Sequence, residues 1–577
     1  MEVFICMRLQ ISKSKNAASF YITKSIYNKG KRTSKIVEKL GTYDELLIKL
    51  NGRDPYEWAK EYVAELTRLE KEGKEPVVIA EYSPSKLIDG NIQRNFNGGY
   101  LFLQQIYYAL GLNKICDEIL DKYKFTFDLN SILSRLCYGR ILFPASKLAT
   151  NQLSQKFIEQ PNFELQHIYR ALEYIAKESD FIQSELYKNS LEISKRNTGV
   201  LYYDCTNYFF EIEQEDGLKQ YGFGKDHKPN PIVQMGLFMD GDGIPLAFGI
   251  SKGNTNEQVT LTPLEKQVLS DFNLSKFVVC TDAGLASTAN RKFNNIGGRA
   301  FITTQSVKKL KKHLKEWALD TNGWHLLDEN EVYDISSLDE EKYKDEIFHK
   351  ERWIKEDGLE QKLIVTYSLK YKNYQRLIRN NQIERAKRVI STNPTKLKKC
   401  NANDYKRFIS KMHCTPEGEI AKKEFYNIDT KLIVNEEAFD GFYAVCTNLD
   451  DDASKIAEIN RKRWEIEECF RIMKSEFRAR PIYLSRDDRI IAHFTTCFIS
   501  LIMYRLLEKK LEGKYTCHEI LSKLKEMNFY ELKGEGYIPT YTRNDLTDDL
   551  HEAFGFRTDY QIVSTKQMKK IIKETKK

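Results

Sequence analysis

The stretch Asn460–Tyr483, with the sequence NRKRWEIEECFRIMKSEFRARPIY, combines a carboxylate, several cations and an apolar stripe at helical spacing. Four charged residues follow one another at intervals of four, four and three positions, so they lie one above another on a single helical face. These residues are Arg463, Glu467, Arg471 and Lys474. A neighbouring face carries apolar residues spaced four, three and four positions apart, which is typical of a helix packed on a core. These residues are Ile466, Phe470, Met473 and Phe477.

The sequence of this helix leaves two interpretations open. A carboxylate beside a packed stripe, with arginine and lysine a turn away on either side, suits a metal site that also holds phosphate. The alternative is a surface helix with Glu–Arg and Glu–Lys ion pairs. Glu465 and Glu468 are rivals for the acid role, although the spacing from Arg463 favours Glu467.

Two aspartates upstream lie in strand-like runs and favour the first interpretation. Asp204 is in the middle of Gly199–Glu211 (GVLYYDCTNYFFE), a run rich in aromatic and β-branched residues. Asp282 ends the short apolar run that begins at Phe277 (FVVCTDAGLAS). Aspartates at strand ends are where α/β folds expose polar groups for chemistry.

Two further strands and a helix are predicted between these aspartates. Pro231–Met239 and Ile244–Ile250 are strand-like, and the segment DGDG at Asp240–Gly243 is a hairpin turn signal. Thr255–Gln258 (TNEQ) resembles a capping box that opens a helix. The predicted order is a strand with Asp204, two hairpin strands, a helix, a strand ending in Asp282 and, much later, the helix with Glu467.

This order of motifs resembles bacterial insertion-sequence transposases of the Asp-Asp-Glu (DDE) class, in the group marked by a Tyr-Arg-Glu-Lys signature. The signature is Tyr, two residues, Arg, three residues, Glu, six residues and Lys, and Arg463, Glu467 and Lys474 fit it without a gap. The segments YYDCTN and TDAGLAS resemble the family's other acidic motifs. Asn460 stands where the signature has Tyr, a residue that in the family touches a phosphate near the element's end. Asparagine retains a hydrogen-bond donor for such a contact.

The resemblance implies an α/β fold centred on an RNase H-like catalytic core, a mixed sheet flanked by helices. Asp282 and Glu467 are too far apart in sequence for a simple core, so a structured insertion is expected between them, and the resemblance implies that this insertion is mainly β. A small β-hairpin unit and a helical DNA-binding region are expected to precede the core. The expected segments are 1–85 (basic hairpin and helix), 86–196 (helical region), 197–304 (first part of the core), 305–435 (insertion), 436–510 (second part of the core) and 511–577 (C-terminal helical region).

The resemblance also implies metal-dependent chemistry on phosphodiesters. Two Mg²⁺ or Mn²⁺ ions about 3.5–4 Å apart activate the attacking oxygen and stabilise the leaving oxygen in such sites. Asp204 is expected to bridge the ions, while Asp282 and Glu467 each hold one side, since Mg²⁺ prefers carboxylate oxygens. Arg463, Lys474 and Arg471 are expected to hold the DNA backbone.

Cationic residues are concentrated in two stretches of a chain whose net charge is only +8. Residues 1–53 contain eleven Lys or Arg against four acids, and residues 370–411 contain thirteen against two. Such clusters suit phosphate contact, so Lys396, Lys398 and Lys399 are predicted to bind DNA. The alternative is a solvated pair of charged helices. His227, in a loop near Asp204, is a further candidate for DNA contact, although an ordinary loop histidine is the simpler interpretation.

Cysteine use indicates a reducing cytoplasm, and hydropathy indicates that the protein has no membrane partner. Together with the resemblance, this gives a cytoplasmic, nucleoid-associated protein as the expectation. The eleven cysteines include no Cys-x-x-Cys pair, and Cys205, Cys280 and Cys469 have the apolar surroundings of core residues. The longest apolar run, Phe494–Leu507, is too short to span a bilayer and is predicted to be a core helix.

The predicted function is a DNA transposase that binds the terminal inverted repeats of its insertion sequence and catalyses metal-dependent strand cleavage and strand transfer. Its partners are the transposon ends and target DNA, with a homodimer as the expected form that pairs two ends. Two alternatives stay open. One is an inactive, transposase-derived protein that binds specific DNA sequences, and the other is a DNA endonuclease on the same fold.

Overall fold

The computed structural model describes residues 7–14, 17–28, 31–50, 52–72, 78, 82–88, 90–327, 329, 331–392, 403–414 and 420–577. These residues belong to two compact units. The smaller unit draws on Met1–Phe96, Met527–Arg543 and Phe556–Lys573. The larger unit comprises Asn97–Glu526, Asn544–Gly555 and Glu574–Lys577, and it holds all of the candidate active site.

The smaller unit begins with an antiparallel sheet followed by two helices. The three strands, in the order β1-β2-β3, are β1 (Met7–Ser14), β2 (Ala17–Asn28) and β3 (Lys31–Thr42). The helices are α1 (Tyr43–Lys49) and α2 (Pro55–Glu72). Thr42 and Glu45 form a capping box that fixes the start of α1. Phe20 and Leu46 are buried between the sheet and the helices.

A short strand and six helices lead to the central sheet. They are β4 (Asn95–Asn97), α3 (Tyr100–Ala109), α4 (Leu112–Tyr123), α5 (Leu129–Leu142), α6 (Lys147–Ser154), α7 (Leu165–Lys177) and α8 (Ser179–Ile193). Helix α5 is buried on nearly all sides because other helices surround it. A helix with no polar face of this kind belongs to the interior of a large unit.

The first part of the central sheet follows the predicted order closely. Its elements are β5 (Val200–Phe209), β6 (Ile232–Asp240), β7 (Pro245–Lys252), α9 (Leu261–Asp271), β8 (Val278–Thr281), α10 (Thr288–Phe293) and β9 (Ala300–Gln305). Strands β5, β6 and β7 are antiparallel neighbours, whereas β8 runs parallel to β5 and β9 parallel to β8. The sheet is therefore mixed, as predicted. The turn between β6 and β7 lies at the predicted DGDG segment, where Gly243 has a φ of +77°.

The segment between β9 and the next core strand contains both helices and strands, so the prediction of a mainly β insertion is wrong. Its elements are α11 (Lys312–Leu319), β10 (His325–Leu326), β11 (Phe348–Glu356), β12 (Leu359–Tyr367), α12 (Leu369–Thr392), β13 (Ile409–Cys414), β14 (Ile420–Ile428) and α13 (Thr430–Glu437). The 24-residue helix α12 forms because its sequence has no glycine or proline and is rich in Lys, Arg and Gln. Trp324 is fully buried in the core of this segment.

The chain then returns to the central sheet through β15 (Phe442–Thr447), which lies between β12 and β9. The full strand order is β10-β11-β12-β15-β9-β8-β5-β6-β7. Three strands of the intervening segment thus extend the central sheet at one edge instead of forming a separate sheet. Strands β13 and β14 pair only with each other among the described residues.

Three helices complete the second part of the core: α14 (Ala453–Arg461), α15 (Trp464–Arg471) and α16 (Asp487–Lys510). Helix α16 packs against α3, α5 and α7, and its middle is buried on all sides. It is the one described helix long and apolar enough to cross a membrane, and 89% of its most apolar window is buried inside the protein. The prediction of a core helix at Phe494–Leu507 is confirmed. Cys205, Cys280 and Cys469 are buried, also as predicted.

The C-terminal region, predicted to be helical, also contains three short strands. Its elements are α17 (Cys517–Glu526), β16 (Asn528–Leu532), β17 (Gly536–Pro539), α18 (Asp545–Phe554), β18 (Val563–Ser564) and α19 (Thr565–Glu574). The strands belong to a sheet in the order β18-β17-β16-β4. Gly534 and Gly536, both with positive φ, allow the hairpin between two aromatic runs, a signal that the prediction overlooked.

Candidate active site

Asp204 and Asp282 lie on neighbouring parallel strands at the same level of the sheet. Tyr202 on β5 is paired with Cys280 on β8, so the register places Asp204 opposite the position that Asp282 takes just after β8 ends. Neighbouring strands are about 4.8 Å apart, which brings these carboxylates together although 77 positions separate them in the chain. Asp282 accepts a hydrogen bond from the backbone N–H of Leu285 (3.1 Å), which fixes the turn after β8.

Burial and the neighbouring carboxylate make Asp204 an unusually weak acid. Burial raises the pKa of Asp204 to about 6, and the charge of Asp282 adds to the increase. Lys225, the backbone N–H of Cys205 and Arg463 act in the opposite direction, and that N–H donates to Asp204 Oδ1 at 2.7 Å. Burial therefore disfavours the charged form of Asp204, and a bound cation would stabilise that form.

Glu467 reaches the site from the segment Asn460–Tyr483, which is not one continuous helix. Helix α15 starts at Trp464, and a π-helical turn spans Ile472–Glu476. The predicted apolar stripe is confirmed, since all four of its residues are buried against the core: Ile466, Phe470, Met473 and Phe477.

Only one of the three competing glutamates lines the same cavity as the aspartates. Glu467 shares a cavity with Asp204 and Asp282, and its side chain is 60% exposed and lies 3.3 Å from Arg463 Nη1. Glu465 lies 3.5 Å from Arg505, and Glu468 pairs with Arg471 at 2.8 Å and lies 3.8 Å from Arg505; neither glutamate lines the cavity. The geometry thus agrees with the spacing argument that selected Glu467.

This cavity, which we call the acid cavity, has a volume of about 480 Å³ and a mixed charge. Its charged lining consists of Asp204, Asp282, Glu467, Lys225, Arg463, Arg471, Lys474 and Arg480. Five cations against three carboxylates leave a net positive charge, so the cavity attracts anions even with all its acids ionised. A phosphodiester combined with divalent cations matches both halves of this lining.

Lys474 is positioned by the strand that carries Asp204. Its Nζ donates to Thr206 Oγ1 at 2.6 Å and lies over the ring of Tyr208 at 5.4 Å. Burial lowers the pKa of Lys474 to about 8, and the nearby charge of Lys225 lowers it further. A desolvated ammonium of this kind is well suited to a phosphate, whose negative charge would restore its usual pKa.

Lys225 and Arg480 line the acid cavity but were not predicted. Lys225 lies in the loop between β5 and β6, where its Nζ donates to the carbonyl oxygen of Cys205 at 2.5 Å and lies 3.7 Å from Glu257. Arg480 forms an ion pair with Asp226. Lys225 is two residues before the candidate His227, and Arg480 follows the helix with Glu467 in the motif RARP, but neither position by itself marks the residue as part of the site.

The remaining predicted DNA-binding residues lie outside the acid cavity. Asn460 belongs to α14, donates from Nδ2 to the hydroxyl of Tyr443 at 3.0 Å and lines a separate cavity of about 230 Å³. His227 is exposed in the β5–β6 loop. The predicted candidates in the basic segment fall outside the described residues, and their role stays a prediction: Lys396, Lys398 and Lys399.

The three carboxylates share one cavity without forming a compact cluster. Among the described residues, no group of three or more His, Cys, Asp or Glu side chains is arranged closely enough to hold a metal ion. Glu467 is the outlying member, since its ion pair with Arg463 turns it toward solvent. Rotation about the side-chain bonds of Glu467 is the smallest change that would bring its carboxylate toward the other two.

Comparisons with known proteins provide the family. None of the curated proteins matches the chain significantly in sequence. A piggyBac transposase solved by cryo-EM as a synaptic complex with hairpin DNA is 9% identical, with a TM-score of 0.35 over 74% of this chain and 78% of that one; a likeness this weak supports no conclusion.

Residues 209–503 match the family model described as the Transposase DDE domain, which includes Asp282 and Glu467 and begins five residues after Asp204. This match covers just over half of the 577 residues. The predicted membership of the Asp-Asp-Glu class is therefore confirmed, and the chain belongs to the DDE transposase family.

Proposed function

We propose that the protein is an active transposase that binds the terminal inverted repeats of its own element and catalyses both cleavage and strand transfer. The observation that carries this proposal is the acid cavity, because Asp204, Asp282 and Glu467 line it together with five cations. Carboxylates for metal and cations for phosphate are the two requirements of phosphodiester chemistry, and here they occur together.

The proposed cofactor is a pair of Mg²⁺ or Mn²⁺ ions. The carboxylates fit such ions because they are hard oxygen donors, and a cation beside Asp204 would stabilise the charged form of this carboxylate, which burial disfavours. Asp204 would contact both ions, and Asp282 and Glu467 one each. When bound, such ions activate the attacking oxygen and stabilise the leaving oxygen.

The cations of the acid cavity would hold the reacting strand. Lys474 and Lys225 both contact the β5 strand that carries Asp204, since one donates to the side chain of Thr206 and the other to the carbonyl oxygen of Cys205. Both amines are therefore fixed to the same strand as the central carboxylate. Arg463 would exchange its ion pair with Glu467 for a phosphate oxygen, which would free Glu467 to turn inward.

Several finer features of the proposal follow from the resemblance. The mixed sheet flanked by helices supports an RNase H-like core, and the spacing of Arg463, Glu467 and Lys474 supports the Tyr-Arg-Glu-Lys group, with Asn460 as its exception. A homodimer that pairs two ends, target DNA as a second partner and the predicted domain limits are part of the same proposal.

The two alternatives differ from the proposal in which steps of the reaction they retain. An inactive descendant would bind element ends without cutting them, and the presence of all three carboxylates in one cavity argues against it. An endonuclease on the same fold would cut without joining. A strand-transfer assay with the element's terminal repeats, Mg²⁺ and a target plasmid separates the three outcomes.

The assay requires matched variants of the carboxylates. Asp204→Asn, Asp282→Asn and Glu467→Gln should each lose both cleavage and joining, because an amide cannot replace a metal-binding carboxylate. Glu465→Gln, two residues before Glu467 and paired with Arg505 outside the cavity, should retain both. Joining that persists in all three cavity variants would overturn the site. A wild-type protein that binds ends without cleaving them would overturn the activity.

A further inference from the structure

The loop between β5 and β6 is held unusually firmly for a surface loop. We call residues 222–228 the clamp loop. Asn207 on β5, which is 1% exposed, fastens it twice: its Nδ2 donates to the carbonyl oxygen of Phe223 at 3.2 Å, and its Oδ1 accepts from the backbone N–H of Lys225 at 3.1 Å. A buried amide with both ends satisfied by one loop fixes the path of that loop.

Three further contacts fasten the clamp loop to the core. Asp226 forms an ion pair with Arg480, and Lys225 donates to the carbonyl oxygen of Cys205. At Gly222 the backbone packs as closely as a glycine allows, since a Cβ there would lie 2.1 Å from the carbonyl oxygen of Gly253. The loop is thus positioned at its start, its middle and its end.

This firmly held loop presents an aromatic side chain to solvent. Phe223 is 73% exposed, although its own backbone carbonyl is one of the two groups that Asn207 fixes. The ring has one aromatic neighbour among the described residues, His227, at 6.1 Å in an edge-on arrangement. What sets Phe223 apart from other exposed apolar side chains is its support, because the backbone that carries it is fixed by a buried amide.

The position of Phe223 indicates what it contacts. Lys225, two residues along, lines the acid cavity, whose net positive charge suits a nucleic-acid phosphate. Two residues span at most about 7 Å, and successive phosphates along a DNA strand are about 3.4 Å apart along the helix axis. The backbone of Phe223 therefore lies within a few nucleotides of a phosphate held by Lys225.

We propose that Phe223 stacks on an unpaired DNA base next to the phosphate bound in the acid cavity. Inside a duplex the faces of paired bases are covered by their neighbours, whereas an unpaired base offers a free face to a protein ring. Stacking tolerates any base, so this contact would detect an opened strand without reading its sequence. The inference rests on the proposed function, because it needs DNA in the acid cavity.

The test compares two DNA duplexes that carry the same terminal repeat, one blunt and one with a short unpaired tail containing 2-aminopurine. Binding is followed by fluorescence anisotropy in EDTA, so that neither duplex is cut, and stacking by the quenching of 2-aminopurine. Alanine substitution at a base-stacking aromatic weakens binding by about 5- to 150-fold per base. Phe223→Ala should lose affinity for the tailed duplex by about fivefold or more, lose the quenching and bind the blunt duplex like the wild type.

Matched variants and outcomes make the test decisive. Phe223→Trp should keep both tail binding and quenching, and Ile296→Ala, which removes another well-exposed apolar side chain outside the cavity, should change neither. Equal quenching and equal tail affinity in Phe223→Ala and the wild type would overturn the stacking proposal alone. A wild-type protein that binds neither duplex would instead contradict the proposed function on which the inference rests.

Discussion

Replacing Asp204 by asparagine should stabilise the metal-free protein at neutral and alkaline pH. The charge of Asp204 is unfavourable in the fold, because burial and the neighbouring Asp282 raise its pKa from 3.8 to about 6. Asparagine has nearly the same shape and carries no charge. Replacing the carboxylate should therefore remove an unfavourable electrostatic interaction and raise the unfolding free energy of the metal-free protein.

The size of the effect follows from the pKa values. A change from 3.8 to about 6 corresponds to about 3 kcal/mol of unfolding free energy. Asp204 is partly exposed, and solvent screening reduces this upper limit to about 1–2 kcal/mol. The pKa of Asp204 is higher in the folded than in the unfolded protein. The wild type is therefore most stable below about pH 4, and it loses this part of its unfolding free energy as the pH rises to about 6. The advantage of Asp204→Asn should be absent at acidic pH and complete above about pH 6.

The assay is urea denaturation followed by circular dichroism in EDTA, at several pH values on both sides of the transition. Asp271→Asn is the control, since Asp271 is an exposed carboxylate at the end of α9 and should leave stability unchanged. Adding Mg²⁺ should stabilise the wild type more than Asp204→Asn. An asparagine variant that is no more stable than the wild type above about pH 6 would refute the electrostatic account of Asp204.

Three further predictions concern the same unit. Burial raises the pKa of Glu265 to about 8, so Glu265 should add to the fall of wild-type stability between about pH 4.5 and 8. Glu265→Gln should remove this contribution in the same denaturation series and leave that of Asp204. Arg196 and Asp240 form a fully buried ion pair (2.6 Å). Arg196→Met should lower the unfolding free energy by about 3–5 kcal/mol, because it leaves the buried acid without its cation. The double variant Arg196→Met/Asp240→Leu should recover part of this loss. Lys225→Met should lower the slope of log affinity for DNA against log salt by about one, whereas Lys266→Met, outside the acid cavity, should leave that slope unchanged.

The core strands and both aspartates could be predicted because their signals are local. The apolar runs around Asp204 and Asp282 are each one strand long, and the DGDG segment marks the turn between β6 and β7. The buried stripe of the Glu467 helix follows from spacing alone. Each of these features depends on residues within a few positions of one another.

The features that sequence reasoning missed depend on distant parts of the chain. Nothing near Lys225 or Arg480 shows that both reach the cavity of Asp204, since that requires the loop after β5 to meet the turn after α15. Likewise, β10, β11 and β12 join the central sheet through pairing of β12 with β15, a contact across about 80 positions. The small sheet of the C-terminal region has a local signal, two glycines between aromatic runs, but this signal is short beside the helical stretches around it.

The most direct test of the account is the affinity of the protein for Mn²⁺, measured by electron paramagnetic resonance without DNA. The account predicts that Asp204→Asn, Asp282→Asn and Glu467→Gln each weaken Mn²⁺ binding by about tenfold or more, while Glu465→Gln binds like the wild type. Unchanged Mn²⁺ affinity in all three cavity variants would contradict the claim that these carboxylates together hold the metal.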